Sequence, residues 1–272
     1  MAAYQLLTDS RCSERFAQLG LIPQSQQNGW TLFSLTESQK TAELRALQLA
    51  VTQERQTCLC LPVRRWKAAF FDMDSTVIAE ESIVELARAA GKAREVDELT
   101  ERAMAGELDF ATALRTRVAM LKGLPLTTVS EVTAKLTINP GMKSFALNAK
   151  KAGLKLFLVS GGFRPLAQHI VDTLGFDGFA ANDLECDEQA LTGGLVGSLV
   201  DAQGKADFLE ATAKKLQITL DDCLVIGDGA NDLPMLQRGG AAIGYHPKAI
   251  LLPHLDGANY HDHSLLSTFL TP

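Results

Sequence analysis

The sequence predicts an α/β protein: a parallel sheet with helices on both faces, a helical insertion after the first core strand, and a small α/β unit in front. Three observations predict it. From Gly141 onward, short apolar runs alternate with stretches of helical spacing, the pattern of parallel strands joined by crossover helices. The runs Ala68 to Phe71, Lys155 to Val159 and Cys223 to Ile226 each lead into a polar or glycine-rich loop, and open α/β sheets bind ligands at such strand ends. Between the first run and the others, Glu80 to Leu136 has helical spacing throughout and no strand pattern.

In order along the chain, Gly29 to Ser34 and Thr57 to Leu61 read as strands, and Glu37 to Gln53 between them as a helix with Leu44, Leu47 and Leu49 among its apolar positions. This unit carries no recognisable chemistry, and a regulatory or dimerising role is suggested by its position alone. Arg64 to Thr76 forms the first core strand and its loop. In the insertion, Ile83, Leu86 and Ala87 share one face, and Phe110, Leu114, Val118 and Leu121 another. Asn139-Pro140-Gly141 ends it with turn chemistry. Helices follow at Met142 to Ala152, Phe163 to Leu174, Ala206 to Leu216 and Leu233 to Arg238, with a further strand at Ala241 to Ile243. Leu184 to Val200 reads as a hairpin with Gly193-Gly194 as its turn or a bulge. The division expected is an appendage (1–65), a core (66–78 and 141–272) and a helical cap (79–140) lying over the strand ends.

A chain of 272 residues can bury a large core in one domain or two. Its net charge of −6 and pI of about 5.4 argue against a nucleic-acid binder, which needs a basic face. No apolar stretch is long enough for a membrane span, and Met1 to Ser10 lacks the pattern of a signal peptide. The five cysteines (Cys12, Cys58, Cys60, Cys186, Cys223) are scattered and fit buried free thiols in a reducing cytoplasm. His261-Asp262-His263 offers one short histidine pair, better explained as part of a polar C-terminal stretch than as a metal site.

The chemistry concentrates in the loops. Asp72-Met73-Asp74-Ser75-Thr76 presents two carboxylates at a strand end. Acids this close repel unless a cation or a proton intervenes, which suits Mg²⁺ beside a nucleophilic carboxylate. An Asp/Ser-closed turn is the plainer alternative. Ser160-Gly161-Gly162 between strand and helix suits a phosphate cradle, though glycine there also serves shape alone. Lys205 stands at a helix start, where the helix dipole disfavours a cation; meeting a phosphate oxygen would explain it, and a solvated surface lysine is the plainer alternative. Gly227-Asp228-Gly229-Ala230-Asn231-Asp232 gathers three polar residues, more than a helix cap requires.

The ordered set of DxDxT, SGG, lysine and GDGxND, each at a strand end or helix start, resembles the haloacid dehalogenase (HAD) superfamily of phosphatases, and most closely its phosphoserine phosphatase branch, over about Lys67 to Tyr245. The resemblance implies a Rossmann-like HAD core with an inserted helical cap, and Mg²⁺-dependent hydrolysis of phosphoserine, the last step of serine biosynthesis, in the cytoplasm. It implies Asp72 as nucleophile and Asp74 as general acid and base, with Thr76 orienting their loop. It implies phosphate contacts from Ser160 and Gly161, and charge neutralisation by Lys205. Mg²⁺ would be held by Asp72, the carbonyl of Asp74 and Asp228, supported by Asn231 and Asp232. In the cap, Glu81 would receive the substrate ammonium and Arg117 its carboxylate, with Met104 and Phe110 closing over it. Nucleic acid and membrane are not expected as partners, and a homodimer is left open. Another small phosphomonoester as substrate, an alcohol in place of water as acceptor, or a non-catalytic binding protein on the same fold are the rival readings.

Overall fold

The computed structural model describes residues 3–104 and 109–270; within that range the side chains of Asp97 and of residues 100–104 lie outside the description. The strands are β1 (Tyr4–Asp9), β2 (Pro23–Gln27), β3 (Trp30–Leu35), β4 (Cys58–Pro62), β5 (Ala68–Phe71), β6 (Lys155–Phe163), β7 (Gly178–Cys186), β8 (Leu191–Val196), β9 (Cys223–Gly227), β10 (Ala241–Tyr245) and β11 (Gly257–Asn259). The helices are α1 (Ser13–Ala17), α2 (Ala42–Gln53), α3 (Ser82–Ala89), α4 (Ala93–Met104), α5 (Phe110–Ala119), α6 (Leu126–Ala134), α7 (Met142–Lys151), α8 (Arg164–Leu174), α9 (Ala202–Leu216) and α10 (Leu233–Leu236).

One mixed sheet runs through the molecule in the order β2-β3-β1-β4-β11-β10-β9-β5-β6-β7-β8. Its centre, from β11 to β7, is parallel. The flanks β2-β3-β1-β4 and β8 are antiparallel. Strand β5 shows why its sequence reads as an unbroken apolar run. Ala69 and Phe71 point into one core with α7 and α8, whereas Ala68 and Phe70 point into the other with α9 and α10. A central parallel strand covered on both faces has no polar side to show. The expected α/β class, with a parallel centre and helices on both faces, is what the structure has.

Among its described residues the insertion forms four helices, α3 to α6, and residues of it share a cavity with the loops at the strand ends. It is tied down in two places. Where it leaves and rejoins the core, Ile78 and Ile138 form a β-bridge. At its far side the β7–β8 hairpin clasps it: Gly123 N–H donates to the Leu191 carbonyl (2.8 Å), Leu191 N–H to that of Leu124 (3.0 Å), and Leu126 N–H to that of Gln189 (2.9 Å). Val118, Leu121 and Val129 of the cap join the same apolar core as β5 and β9.

Several expectations need correction. The hairpin turns at Asp187 to Ala190, where the Asp187 carboxylate accepts from Gln189 and Ala190 N–H (2.8 Å each); Gly193-Gly194 are not that turn but lie within β8, where its register with β7 shifts, the bulge that the sequence left open. Strand β1 follows Met1 closely, and its pattern was hidden by polar Gln5, Thr8 and Asp9. The N-terminal strands also continue the core sheet, because β4 pairs with β11. Residues 247–270 are not a polar tail. They supply β11 and bury Leu251, Leu252, Leu265, Leu266 and Phe269. His263 within them has no exposed surface. No cysteine is bonded to another; Cys12, Cys58, Cys60 and Cys223 are buried, and Cys186 is exposed. No helix among the described residues is long and apolar enough to cross a membrane.

Candidate active site

Strands β5, β6 and β9 are neighbours in the sheet and all point the same way. Their carboxyl ends therefore bring the three loops together, although about 155 residues separate Asp72 from Gly227 in sequence. After β5 the chain makes a tight irregular turn over Met73–Val77, with Asp74 extended (φ −68°, ψ 134°) and Ser75 left-handed (φ 57°, ψ −4°). The turn places Asp72 and Asp74 on the floor of a cavity of about 170 Å³. Its lining includes Asp228 and Asn231 from the loop after β9, Gly161 from β6, and Glu81, Phe110 and Arg117 from the cap.

Lys205 is the electrostatic centre. It is 1% exposed, and its ammonium donates to Asp72 Oδ1 at 2.5 Å and to Asp232 Oδ1 at 2.6 Å. Helix α9 starts earlier than the sequence suggested, capped by Asp201, so Lys205 lies inside its first turn and not ahead of it. Burial disfavours the ammonium, but the Asp232 and Asp72 carboxylates outweigh burial and raise its pKa. Asp232 also braces the neighbouring loop, for its Oδ2 accepts from Asp228 and Gly229 N–H, each at 3.1 Å. This carboxylate fills the space where Gly227 would carry a Cβ, which would sit 2.5 Å from Oδ2.

Around that lysine the acids are crowded. Burial, then the charge of Asp232, raises Asp72 well above the usual carboxylate range, Lys205 notwithstanding. The same two causes raise Asp228 to about 6. Asp72, Asp228 and Asp232 offer oxygens all within 4.8 Å of one another. Hard, mutually repelling oxygen donors of this kind fit a divalent cation, whose charge would return them to the ionised form.

Asp74 stands slightly apart. Ser82 N–H donates to its Oδ1 (3.2 Å) and Ser82 Oγ to its Oδ2 (2.8 Å). Burial and then the Glu81 charge nevertheless push Asp74 up to about 7. A carboxyl group tuned near neutrality can both give and take a proton. Glu81 accepts from Ser75 Oγ (2.8 Å), which ties the first cap helix to the turn.

The sequence-predicted residues mostly converge. Phe110 reaches across the cavity mouth, 3.6 Å from where a Cβ on Gly161 would stand. Arg117, half-buried on α5, has its pKa lowered by burial against the opposing pull of Glu81, so the two cap charges sense each other. Ser160 is buried, with Oγ accepting from Gly162 N–H at 2.8 Å. Its Ser-Gly-Gly segment is the irregular end of β6 and not a free loop. Thr76 contributes through its main chain: its carbonyl accepts two side-chain hydrogen bonds, while its hydroxyl is buried without a partner among the described residues. The side chain of Met104 lies outside the described residues. Sequence reasoning missed Ser82, whose place beside Glu81 was its one signal. It also missed Lys248, which lines the cavity with its ammonium 3.7 Å from Asp228. Asn182 was missed as well; it donates to the Gly161 carbonyl (2.8 Å) and braces the Ser-Gly-Gly segment from β7.

The family model for haloacid dehalogenase-like hydrolases matches residues 69–237, and the chain belongs to that family. Within it, the chain falls with the phosphoserine phosphatases. It is 40% identical over 195 residues to the phosphoserine phosphatase of Archaeoglobus fulgidus, covering 72% of this chain and 57% of that one. To a probable phosphoserine phosphatase of Schizosaccharomyces pombe it is 37% identical over 248 residues, 85% of this chain and 83% of that one. Among solved structures, a HAD family hydrolase from Salmonella enterica serovar Typhi superposes with a TM-score of 0.90 at 27% identity, covering 98% of this chain and 97% of that one. The chain thus spans under two thirds of the Archaeoglobus relative and most of the yeast one.

Proposed function

We propose that this enzyme hydrolyses O-phosphoserine to serine and phosphate, with Mg²⁺ as cofactor and an aspartyl-phosphate at Asp72 as intermediate. One observation carries the reading: a single cavity has Asp72 and Asp74 on its floor and Glu81 and Arg117 on its cap side. The floor suits phosphoryl transfer, and the cap pair suits an ammonium and a carboxylate. The names of the relatives agree with that substrate.

In this mechanism an Asp72 oxygen attacks phosphorus, and the bond from phosphorus to the serine oxygen breaks. Asp74 donates its proton to the departing oxygen, so serine leaves as the alcohol. The Asp74 carboxylate then takes a proton from water as the water oxygen attacks phosphorus, releasing phosphate and restoring Asp72. Lys205 keeps Asp72 aimed and offsets negative charge at the phosphoryl group; the Gly161 and Gly162 main chain lines the cavity, and Ser160, buried behind it, holds that segment by accepting from Gly162 N–H. Asp72, the Asp74 carbonyl and Asp228, with Asn231 and Asp232 in support, would hold Mg²⁺, which would supply the positive charge that lets a carboxylate approach a phosphate dianion. Ser82 holds Asp74 in the orientation both proton transfers need. The reading carries with it a cytoplasmic setting and a small-molecule partner only.

The test is phosphate release from phosphoserine, phosphothreonine and p-nitrophenyl phosphate, with Mg²⁺ and with EDTA. Mg²⁺-dependent preference for phosphoserine is expected. Equal rates on all three would keep the hydrolase and discard the substrate. Arg117→Ala is expected to raise KM for phosphoserine by about 10- to 100-fold, the value of one charge-assisted contact, while barely moving that for p-nitrophenyl phosphate. Parallel losses on both substrates would mean that Arg117 does not read a carboxylate.

A further inference from the structure

We propose that His263 is a positioning residue for the catalytic turn: its imidazole, brought in by the C-terminal segment, holds the Thr76 carbonyl and thereby fixes Asp72 and Asp74. It lies outside the residues matched by the family model and touches none of the reacting groups.

The turn needs holding. It carries a left-handed, non-glycine residue, Ser75, between the second acid and Thr76, and such a conformation persists only where its surroundings enforce it. Two side chains grip the Thr76 carbonyl from behind, Asn139 Nδ2 at 2.8 Å and His263 Nε2 at 2.8 Å. Asn139 also donates to the Ile78 carbonyl (3.0 Å), so one asparagine and one histidine clamp the chain as it leaves the acids for the cap.

His263 is itself fixed on every side. Its ring stacks on Tyr245, with centroids 4.0 Å apart at 17°, and meets Phe71 edge-on at 5.9 Å. Its main-chain N–H donates to the Pro140 carbonyl at 3.0 Å. That approach is open because position 141 is glycine, with φ +76°. A Cβ there would stand 2.4 Å from Ser264 N and 2.8 Å from His263 N. The joint that ends the cap is thus shaped to receive this one segment.

Packing alone does not explain an imidazole here. Nδ1 is buried with no partner among the described residues, a cost that phenylalanine would avoid while keeping the stack on Tyr245. A carbonyl can only accept, so Nε2 must carry the proton; Nδ1, buried with no acceptor among the described residues, has nothing to receive a second one, and the ring is neutral. Burial, which pushes its pKa down to about 4, agrees. What His263 adds over phenylalanine is therefore a single directed N–H aimed at the turn.

The inference rests on the reading of Asp72 and Asp74 as the reacting pair, so its test has two arms. In the first, phosphoserine turnover is measured for His263→Phe and His263→Gln. A displaced turn should cost turnover more than binding. His263→Phe is expected to lower kcat about tenfold or more with KM within about twofold, and His263→Gln, whose amide can donate to Thr76, to recover most of it. Wild-type kcat in His263→Phe, or equal losses in both variants, would overturn the proposal. The second arm reads the ring nitrogens of wild-type His263 by NMR and needs neither turnover nor a folded variant. Protonation at Nε2, with that proton slow to exchange, is expected, whereas an Nδ1-protonated or charged ring would overturn it. Failure of the wild type to hydrolyse any phosphomonoester would fall on the proposed function instead, leaving the NMR arm to decide the hydrogen bond.

Discussion

Asp72→Asn should abolish phosphate release, by about 10⁴-fold or more, while leaving a folded protein. The amide is nearly isosteric with the carboxylate but cannot form a phosphoryl ester that water will release. Folding should survive because the substitution removes one acid from a crowded set. Lys205 keeps Asp232 at 2.6 Å, and Asp72 itself is raised towards its neutral form by burial and by Asp232. The measurements are phosphate release and acid-quench trapping of a phosphorylated protein: label is expected on the wild type during turnover and none on the variant. A variant with wild-type activity would show that the phosphoryl group never rests on this residue. The reciprocal variant, Asp74→Asn, should also lose turnover, yet for a different reason, since an amide at the position Ser82 grips can no longer pass a proton.

The second large effect belongs to Lys205→Met, which should cost both activity and stability. The lysine is the only cation touching Asp72 and Asp232 among the described residues, and all three side chains are at most 5% exposed. Removing the lysine leaves two buried carboxyl groups without the cation and the hydrogen bonds that offset their burial, a loss of about 3–5 kcal/mol. Methionine preserves most of the volume, so a loss of that size would be electrostatic and not a cavity. Chemical denaturation measures it, and Mg²⁺ supplies the control. Added cation should stabilise Lys205→Met more than it stabilises the wild type, because it meets the carboxylates the lysine has abandoned. Equal stabilisation of the two proteins would mean that the acids are neutral in the variant and that the cation site is elsewhere.

How the sequence exposed this site follows from how the site is built. Asp72 and Asp228 are legible because they sit in short loops after apolar runs, where polar side chains have no packing reason to cluster; Ser160 is legible from the two glycines that follow it at the end of β6, and Lys205 from its unfavourable place near a helix start. The central strands were legible for the related reason that burial on both faces removes every polar position, as in Ala68 to Phe71. Edges were harder. Strand β2, Pro-Gln-Ser-Gln-Gln, is exposed along its length and carries no apolar signal at all. Three-residue β11 is made of Gly, Ala and Asn, set by its neighbours and not by propensity. Supporting residues were invisible for a similar reason. Asn139 and His263 act by reaching Thr76 across 63 and 187 residues of chain, and nothing in their local sequence announces that partner. Arg117 and Glu81 were legible only through family resemblance, since an acid near a helix start and an arginine on a helix are ordinary.

Strand β11 sits between β10 and β4, so the sheet cannot be completed until residues 257–259 have been made. During synthesis, β4 must wait for a partner some 195 residues further on, on the order of 10 to 40 seconds of translation. Throughout that time β1, β3 and β4 can form their own antiparallel ladder with one margin open, a surface that invites pairing with another nascent chain. Removing β11 would therefore do more than delete three residues: it would leave the two parts of the sheet without the piece that joins them.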